Sequence, residues 1–334
     1  MSKLNNPKTR QILKIISKTL ITFLGLGLVF VGYLFLPLAQ VSSSQNIEQT
    51  SSYSTAMTRF EKLQAQDDAQ IRSECKSTLL NHGQKTDKVI VLFHGFTSCP
   101  KQFDQFSYLL FEQGYNVLIP RLHYHGMEDL ATRDQNKIQA SEILNLTAQS
   151  VAIASGLGDK VEVLGLSGGA VMALWAGLNL PNVSKVMAVS PILKPYLAKN
   201  FPQNPTVKLL EIIPDRYIFW DEELKEKAEF APYAYKGFSS KALSQFLNIG
   251  QTVLQQIDTN ISSQTEFILV TSDIDKAVDN NLSKIVFEKL QSGGKITQTH
   301  VFNSQDNIPH DSIDPRNKAG NIKLTYPKII AWLE

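Results

Sequence analysis

From residue 85 onward, runs of β-branched and apolar residues alternate with stretches patterned like helices, and few folds accept that alternation. The predicted strands are 88–94 (KVIVLFH), 115–119, 161–166, 185–190, 267–271 and 296–302. Several are apolar throughout rather than at every second residue, as expected of strands covered on both faces. Predicted helices fall between them, at 101–113, 139–155, 168–178, 279–291 and 317–333. The pattern predicts an α/β fold, a mostly parallel sheet flanked by helices on both sides. It breaks at 191–263, which holds 6 of the 14 Pro and 10 of the 30 aromatic residues. We read that stretch as a helical, aromatic-rich lid insertion over a pocket. Connecting helices packed on the sheet are the plainer alternative.

The N-terminus obeys a different rule. Residues 19–39 (TLITFLGLGLVFVGYLFLPLA) are apolar, and no charge occurs between Lys18 and Glu48. About 21 residues at 1.5 Å each reach roughly 31 Å, the thickness of a bilayer's hydrocarbon core. Lys3, Lys8, Arg10, Lys14 and Lys18 precede the run. A transmembrane anchor is expected, with the tip cytoplasmic and the remainder outside. The alternative is a cleaved signal peptide and a secreted protein. Its apolar core would be only about 7–15 residues, and Pro37-Leu38-Ala39 makes a poor cleavage site. Residues 41–54, rich in Ser and Gln, suit a flexible spacer, and 56–71 a short amphipathic helix. The expected organisation is therefore 1–40 tip and anchor, 41–84 spacer and arm, and 85–334 the main domain. The net charge of +2 comes from the tip, since the rest carries 28 basic and 31 acidic residues. Nucleic-acid binding has no compositional support. Oligomeric state is not legible.

Gly165-Leu166-Ser167-Gly168-Gly169 matches G-x-S-x-G between a predicted strand and a predicted helix. That context suits a nucleophile elbow, a sharp turn that lifts the serine hydroxyl above the sheet. A serine needs a base within hydrogen-bond reach. In chain order an acid and then a histidine should follow. Of the six His, His300 sits inside a strand pattern, whereas His310 lies in the turn-rich SQDNIPHDS just beyond it. His310 is the expected base. Asp273 and Asp275 both end the strand FILVT. Asp275 has the better spacing to the next helix, and its role would be to hold the His310 tautomer. After the first strand, His94-Gly95-Phe96 offers the Phe96 amide, with that of Gly168, as an oxyanion hole. His94 reads as structural. His123 and His125 read as loop residues, because no further ligand accompanies them as a metal site would require. Neither metal nor cofactor is expected.

With these residues in view, the chain resembles α/β-hydrolases of the bacterial carboxylesterase and monoacylglycerol-lipase-like group. The matching segments are LFHGFTSCP at 92–100, IPRLHYHG at 119–126, GLSGG at 165–169, SDIDKAV at 272–278, and His310. The resemblance implies an acyl-enzyme mechanism and a lid made by an insertion. It departs where Tyr124-His125-Gly126 replaces the common Pro-Gly-His-Gly and where Ser272 precedes the acid. The expected function is a membrane-anchored serine hydrolase of short- to medium-chain or monoacylglycerol-like esters. Amide, thioester or lactone substrates, or a non-catalytic binding module on the same fold, are the alternatives. An epoxide or haloalkane hydrolase would want Asp where Ser167 stands. Cys75 and Cys99 are the only cysteines. Outside the cytoplasm they could form a disulfide, tethering the N-terminal arm to the Phe96 loop.

Overall fold

In the computed structural model, which describes residues 7–45, 47–219, 232–257 and 264–334, nine strands are β1 (Thr78–Leu80), β2 (Thr86–Phe93), β3 (Asn116–Ile119), β4 (Gly158–Leu166), β5 (Val183–Val189), β6 (Tyr217–Phe219), β7 (Gly237–Ser239), β8 (Glu266–Ser272) and β9 (Thr297–Phe302). Seven form one sheet in the order β1-β3-β2-β4-β5-β8-β9. All its pairings are parallel except the antiparallel edge pair β1–β3. All six predicted strands are in this sheet. β1 is only three residues long and carries no pattern of its own. β6 and β7 make a separate antiparallel pair.

Side chains of successive strand residues point to opposite faces, and β2 shows what each face meets. Val89, Val91 and Phe93 face one core with α2 (Tyr53–Gln64), α4 (Ala140–Ala154), α5 (Gly168–Asn179), α7 (Ser240–Ile257) and α8 (Asn280–Ser292). Ile90 and Leu92 face the other core with α3 (Asp104–Glu112) and α9 (Ile322–Leu333). Burial on both sides explains why β2, β4 and β5 read as unbroken apolar runs.

The stretch expected as a lid divides. α7 buries Ala242, Leu243, Phe246, Leu247, Ile249 and Val253 in the main core. It is a structural helix of the domain, and its apolar residues recur at helical spacing. Outside it remain the segment from Pro191, with α6 (Gln203–Ile212), and residues 232–239. Trp220 and Phe230, counted among the lid aromatics, lie outside the described residues.

The longest helix is α1 (Pro7–Phe35). Its Leu13–Phe35 portion has a mean hydropathy of 2.0 and is exposed almost throughout, Leu34 near its end being buried, so it is long and apolar enough to cross a membrane, as some signal sequences are. The segment after it is not slack. Gln255 Nε2 donates to Leu38 O at 2.9 Å, and Val41 N–H donates to Thr252 Oγ1 at 2.9 Å. Ser43 Oγ and Ser44 N–H both donate to Asn145 Oδ1, at 2.8 and 2.9 Å. Ser43 and Ser44, of the stretch that suggested a flexible spacer, meet Asn145 of α4, and the backbone of Leu38 and Val41 meets polar side chains of α7.

The N-terminal arm is fastened next to the β3 loop. Cys75 and Cys99 form a disulfide with Cα atoms 5.3 Å apart. Gly126 packs against it at φ +69°, and a Cβ there would lie 2.5 Å from Cys75 Cβ. Asp67 and Arg121 make a buried ion pair at 2.6 Å.

Candidate active site

Ser167 stands between the end of β4 and the start of α5, at φ 55° and ψ −109°. A non-glycine residue rarely adopts a positive φ, and the neighbours explain how it is held here. A Cβ on Gly165 would lie 2.0 Å from Gly169 O, and one on Gly169 would lie 2.0 Å from Phe93 O. Only glycine at both positions lets strand and helix cross this closely. The Ser167 N–H is fixed on Val189 O at 2.9 Å.

Ser167 and His310 line one cavity of about 330 Å³. His310 Nδ1 meets Asp275 Oδ2 at 2.8 Å, and the Asp275 side chain is fully buried. The second carboxylate oxygen accepts the Ala277 N–H at 2.8 Å. Burial alone would push the Asp275 carboxyl up; His310, the Ala277 N–H and the Ser190 hydroxyl outweigh it and hold it below its usual range. Burial would likewise push His310 down, but Asp275, with Asp311 adding to it, holds the imidazole above its usual value. Asp273, the other candidate acid, is exposed, with its N–H on Phe302 O.

Phe96 lines the same cavity. A Cβ on Gly168 would lie 3.1 Å from Phe96 Cβ, so the two expected oxyanion donors are neighbours. Phe246 of α7 packs beneath both, with its ring centroid 4.9 Å from that of Phe96.

The remaining histidines lie apart from this chemistry. His94 Nε2 accepts the Leu122 N–H at 3.1 Å, and its Nδ1 donates to Gly95 O at 3.0 Å. It ties the loops after β2 and β3 together. Burial holds it well below the usual histidine range. His125 is also fully buried, which pushes it down to about 4. His123 and His125 bracket Tyr124 in the same loop, and among the described residues no group of His, Cys, Asp and Glu is arranged to hold a metal. His300 stacks on Trp332 with centroids 4.5 Å apart.

Several lining residues escape the sequence. Gln102, 3% exposed, accepts the Gly95 N–H through Oε1 at 2.8 Å and donates from Nε2 to Asp311 Oδ2 at 2.7 Å. It links the Phe96 loop to the residue next to His310. Asp314 also lines the cavity. Burial and then Asp311 push it up to about 6, while Tyr233 donates to it and Arg316 pairs with it at 3.0 Å. Tyr235 also lines the cavity, with its N–H on Thr97 O at 2.9 Å and its hydroxyl donating to Tyr124 O at 3.2 Å. These contacts join residues far apart in sequence and have no local pattern. Only the adjacency of Asp311 to His310 was a usable signal.

With this geometry described, comparison with known proteins is informative. The Hydrolase_4 family model, described as serine aminopeptidase S33, matches residues 84–303. His310 lies just past that stretch. No curated protein matches the chain by sequence. Among solved structures, one reported with the metagenome-derived lipolytic enzymes LipS and LipT is 19% identical with a TM-score of 0.59, covering 79% of this chain and 99% of that one. The Paleococcus ferrophilus monoacylglycerol lipase is 16% identical with a TM-score of 0.57, covering 77% and 97%. A soluble variant of the Saccharomyces cerevisiae monoglyceride lipase, in complex with a substrate analog, is 15% identical with a TM-score of 0.58, covering 78% and 91%. At such identities the likeness shows the fold, that of the α/β-hydrolases.

Proposed function

The chain belongs to the serine aminopeptidase S33 family of hydrolases, and from that premise we propose that it is a membrane-anchored serine hydrolase cleaving carboxylic esters through an acyl-enzyme on Ser167. The observation that carries the reading is the 2.8 Å contact of His310 Nδ1 with the buried Asp275, beside a cavity that His310 shares with Ser167. His310 Nε2 takes the Ser167 proton as Oγ attacks the ester carbonyl. Asp275 fixes the tautomer and stabilises the imidazolium. The Phe96 and Gly168 amides hold the tetrahedral oxyanion, each such donor contributing about 3–4 kcal/mol to the transition state. His310 then protonates the departing alkoxide. Water activated by His310 attacks the acyl-enzyme, and the acid leaves as Ser167 regains its proton.

The substrate is read as an ester with a short- or medium-chain acyl group, or a monoacylglycerol-like lipid. Phe96, Leu166, Ala277 and Pro309 supply an apolar part of the cavity wall, and the neighbours of like fold include lipases. The family's aminopeptidase description favours a second reading, amide cleavage at a free amine. A carboxylate open to the amine would suit that chemistry. The two lining the cavity are engaged, Asp311 by Gln102 and Asp314 by Tyr233 and Arg316. We place the anchor at Leu13–Phe35, with the catalytic domain on the far side of the membrane from the basic tip.

A fluorophosphonate probe tests the chemistry. Wild type should label and Ser167→Ala should not. A well-folded wild type that takes no label would mean a binding module. A panel of acyl esters of graded length beside aminoacyl amides then separates the two substrate readings.

A further inference from the structure

The end of α1 is held by the domain that follows it. Lys208 of α6, only 5% exposed, donates to the Tyr33 and Leu36 carbonyls at 2.7 Å each, and its ammonium lies 4.5 Å from the Tyr33 ring centroid. Carbonyls in the last turn of a helix lack intrahelical donors, and a cation there also meets the negative end of the helix dipole. Pro37 ends the helix, and the backbone is then fastened at Leu38 and Val41 to α7 and at Ser43 and Ser44 to α4. No slack remains between the apolar helix and the domain. A bilayer around α1 would therefore have α6 at its surface.

That part of the fold has the composition of a membrane-facing surface. Leu197 is 91% exposed, Phe201 64% and Ile212 50%, with Leu209 and Ile213 also open. Monomeric proteins seldom leave such a cluster uncovered without a partner. Lys194 and Lys199 lie among them; Lys194 Nζ donates to Phe201 O at 3.1 Å and Lys199 sits over the Tyr196 ring. Apolar residues with interspersed lysines suit the boundary between headgroups and acyl chains. Tyr196, next to Leu197, connects this segment to the cavity wall. Tyr196 N–H donates to Ala277 O at 3.0 Å, and Ala277 lines the cavity wall.

We propose that Leu197, Phe201, Leu209, Ile212 and Ile213 dock on the phospholipid surface beside α1. The Lys208 clamp and the strap at 36–45 hold the domain in one orientation, with the Ala277 side of the cavity next to the lipid. The proposal rests on α1 being an uncleaved anchor. An ester lipid would then enter laterally from the leaflet.

The test uses the full chain in vesicles of phosphatidylcholine and phosphatidylglycerol, with radiolabelled phosphatidylcholine. Benzoylphenylalanine is placed at Leu197, Phe201 or Ile212, and, as control, at Tyr108 of α3 on the opposite face of the sheet, itself 58% exposed. Flotation reports anchoring, and fluorophosphonate labelling reports the serine chemistry. Illumination should attach about tenfold more lipid at Phe201 than at Tyr108. Lys208→Met should cut that yield severalfold while flotation and probe labelling stay unchanged. Chain that floats yet captures no more lipid at Leu197, Phe201 and Ile212 than at Tyr108 overturns the docking alone. Cross-links to protein in place of lipid overturn it too, because a second copy or another part of the chain then covers the surface. Chain that does not float overturns the anchor and the docking together, and leaves the hydrolase reading to its own probe.

Discussion

At the scale of single residues, the Asp275–His310 pair makes the sharpest predictions. A base must be neutral to take a proton, and His310 is held above the ordinary value of about 6.5. kcat/KM should therefore fall on the acid side through a value higher than that. In Asp275→Asn the largest raising influence is gone and burial dominates. The acid limb should move to lower pH, while kcat falls by about 10⁴. A pH–rate profile of both proteins checks this, and an unmoved limb would separate His310 from the chemistry. The pair also bears on stability. The His310 contribution is full below about pH 6.5 and is lost as pH rises through its raised value. The Asp275 contribution is present above about pH 3.9 and lost as pH falls through its lowered value.

At the scale of elements, what could be read from the chain depended on whether the cause was local. Strands β2, β4, β5 and β8 are buried on both faces, so their apolar runs were visible. The elbow was visible because Gly165 and Gly169 are required by direct steric contact. Within the 191–263 stretch read as a lid, α7 has a helical pattern that places Phe246 and Leu247 in the core. Gln102 was invisible because its partners arise only on folding, and Tyr235 was legible only as one aromatic of the stretch read as covering a pocket. α7 offers its own check. Phe246 is fully buried under Phe96 and Gly168, so Phe246→Ala should cost about 3–5 kcal/mol. Urea melts would measure the loss, and activity should fall with it because the floor beneath the two amides is removed.

At the scale of the molecule, the disulfide joins the N-terminal arm to the loop that carries Phe96, closing a separation of 24 residues. The double variant Cys75→Ala, Cys99→Ala should lose about 2–5 kcal/mol. A thermal melt should show a lower midpoint that added reductant does not lower further. A midpoint equal to that of the oxidised wild type would remove the bond from the stability account.

The strap after α1 has a consequence for how the chain is made. Val41 and its acceptor Thr252 are 211 positions apart, a gap that takes a ribosome roughly 10–40 seconds to cover at about 5–20 residues per second. The Asn145 acceptor of Ser43 and Ser44 is made about halfway through that interval and Lys208 later in it, but Val41 itself waits for Thr252 to its end. The strap is thus completed late in synthesis, when α7 arrives to close the contacts at Leu38 and Val41.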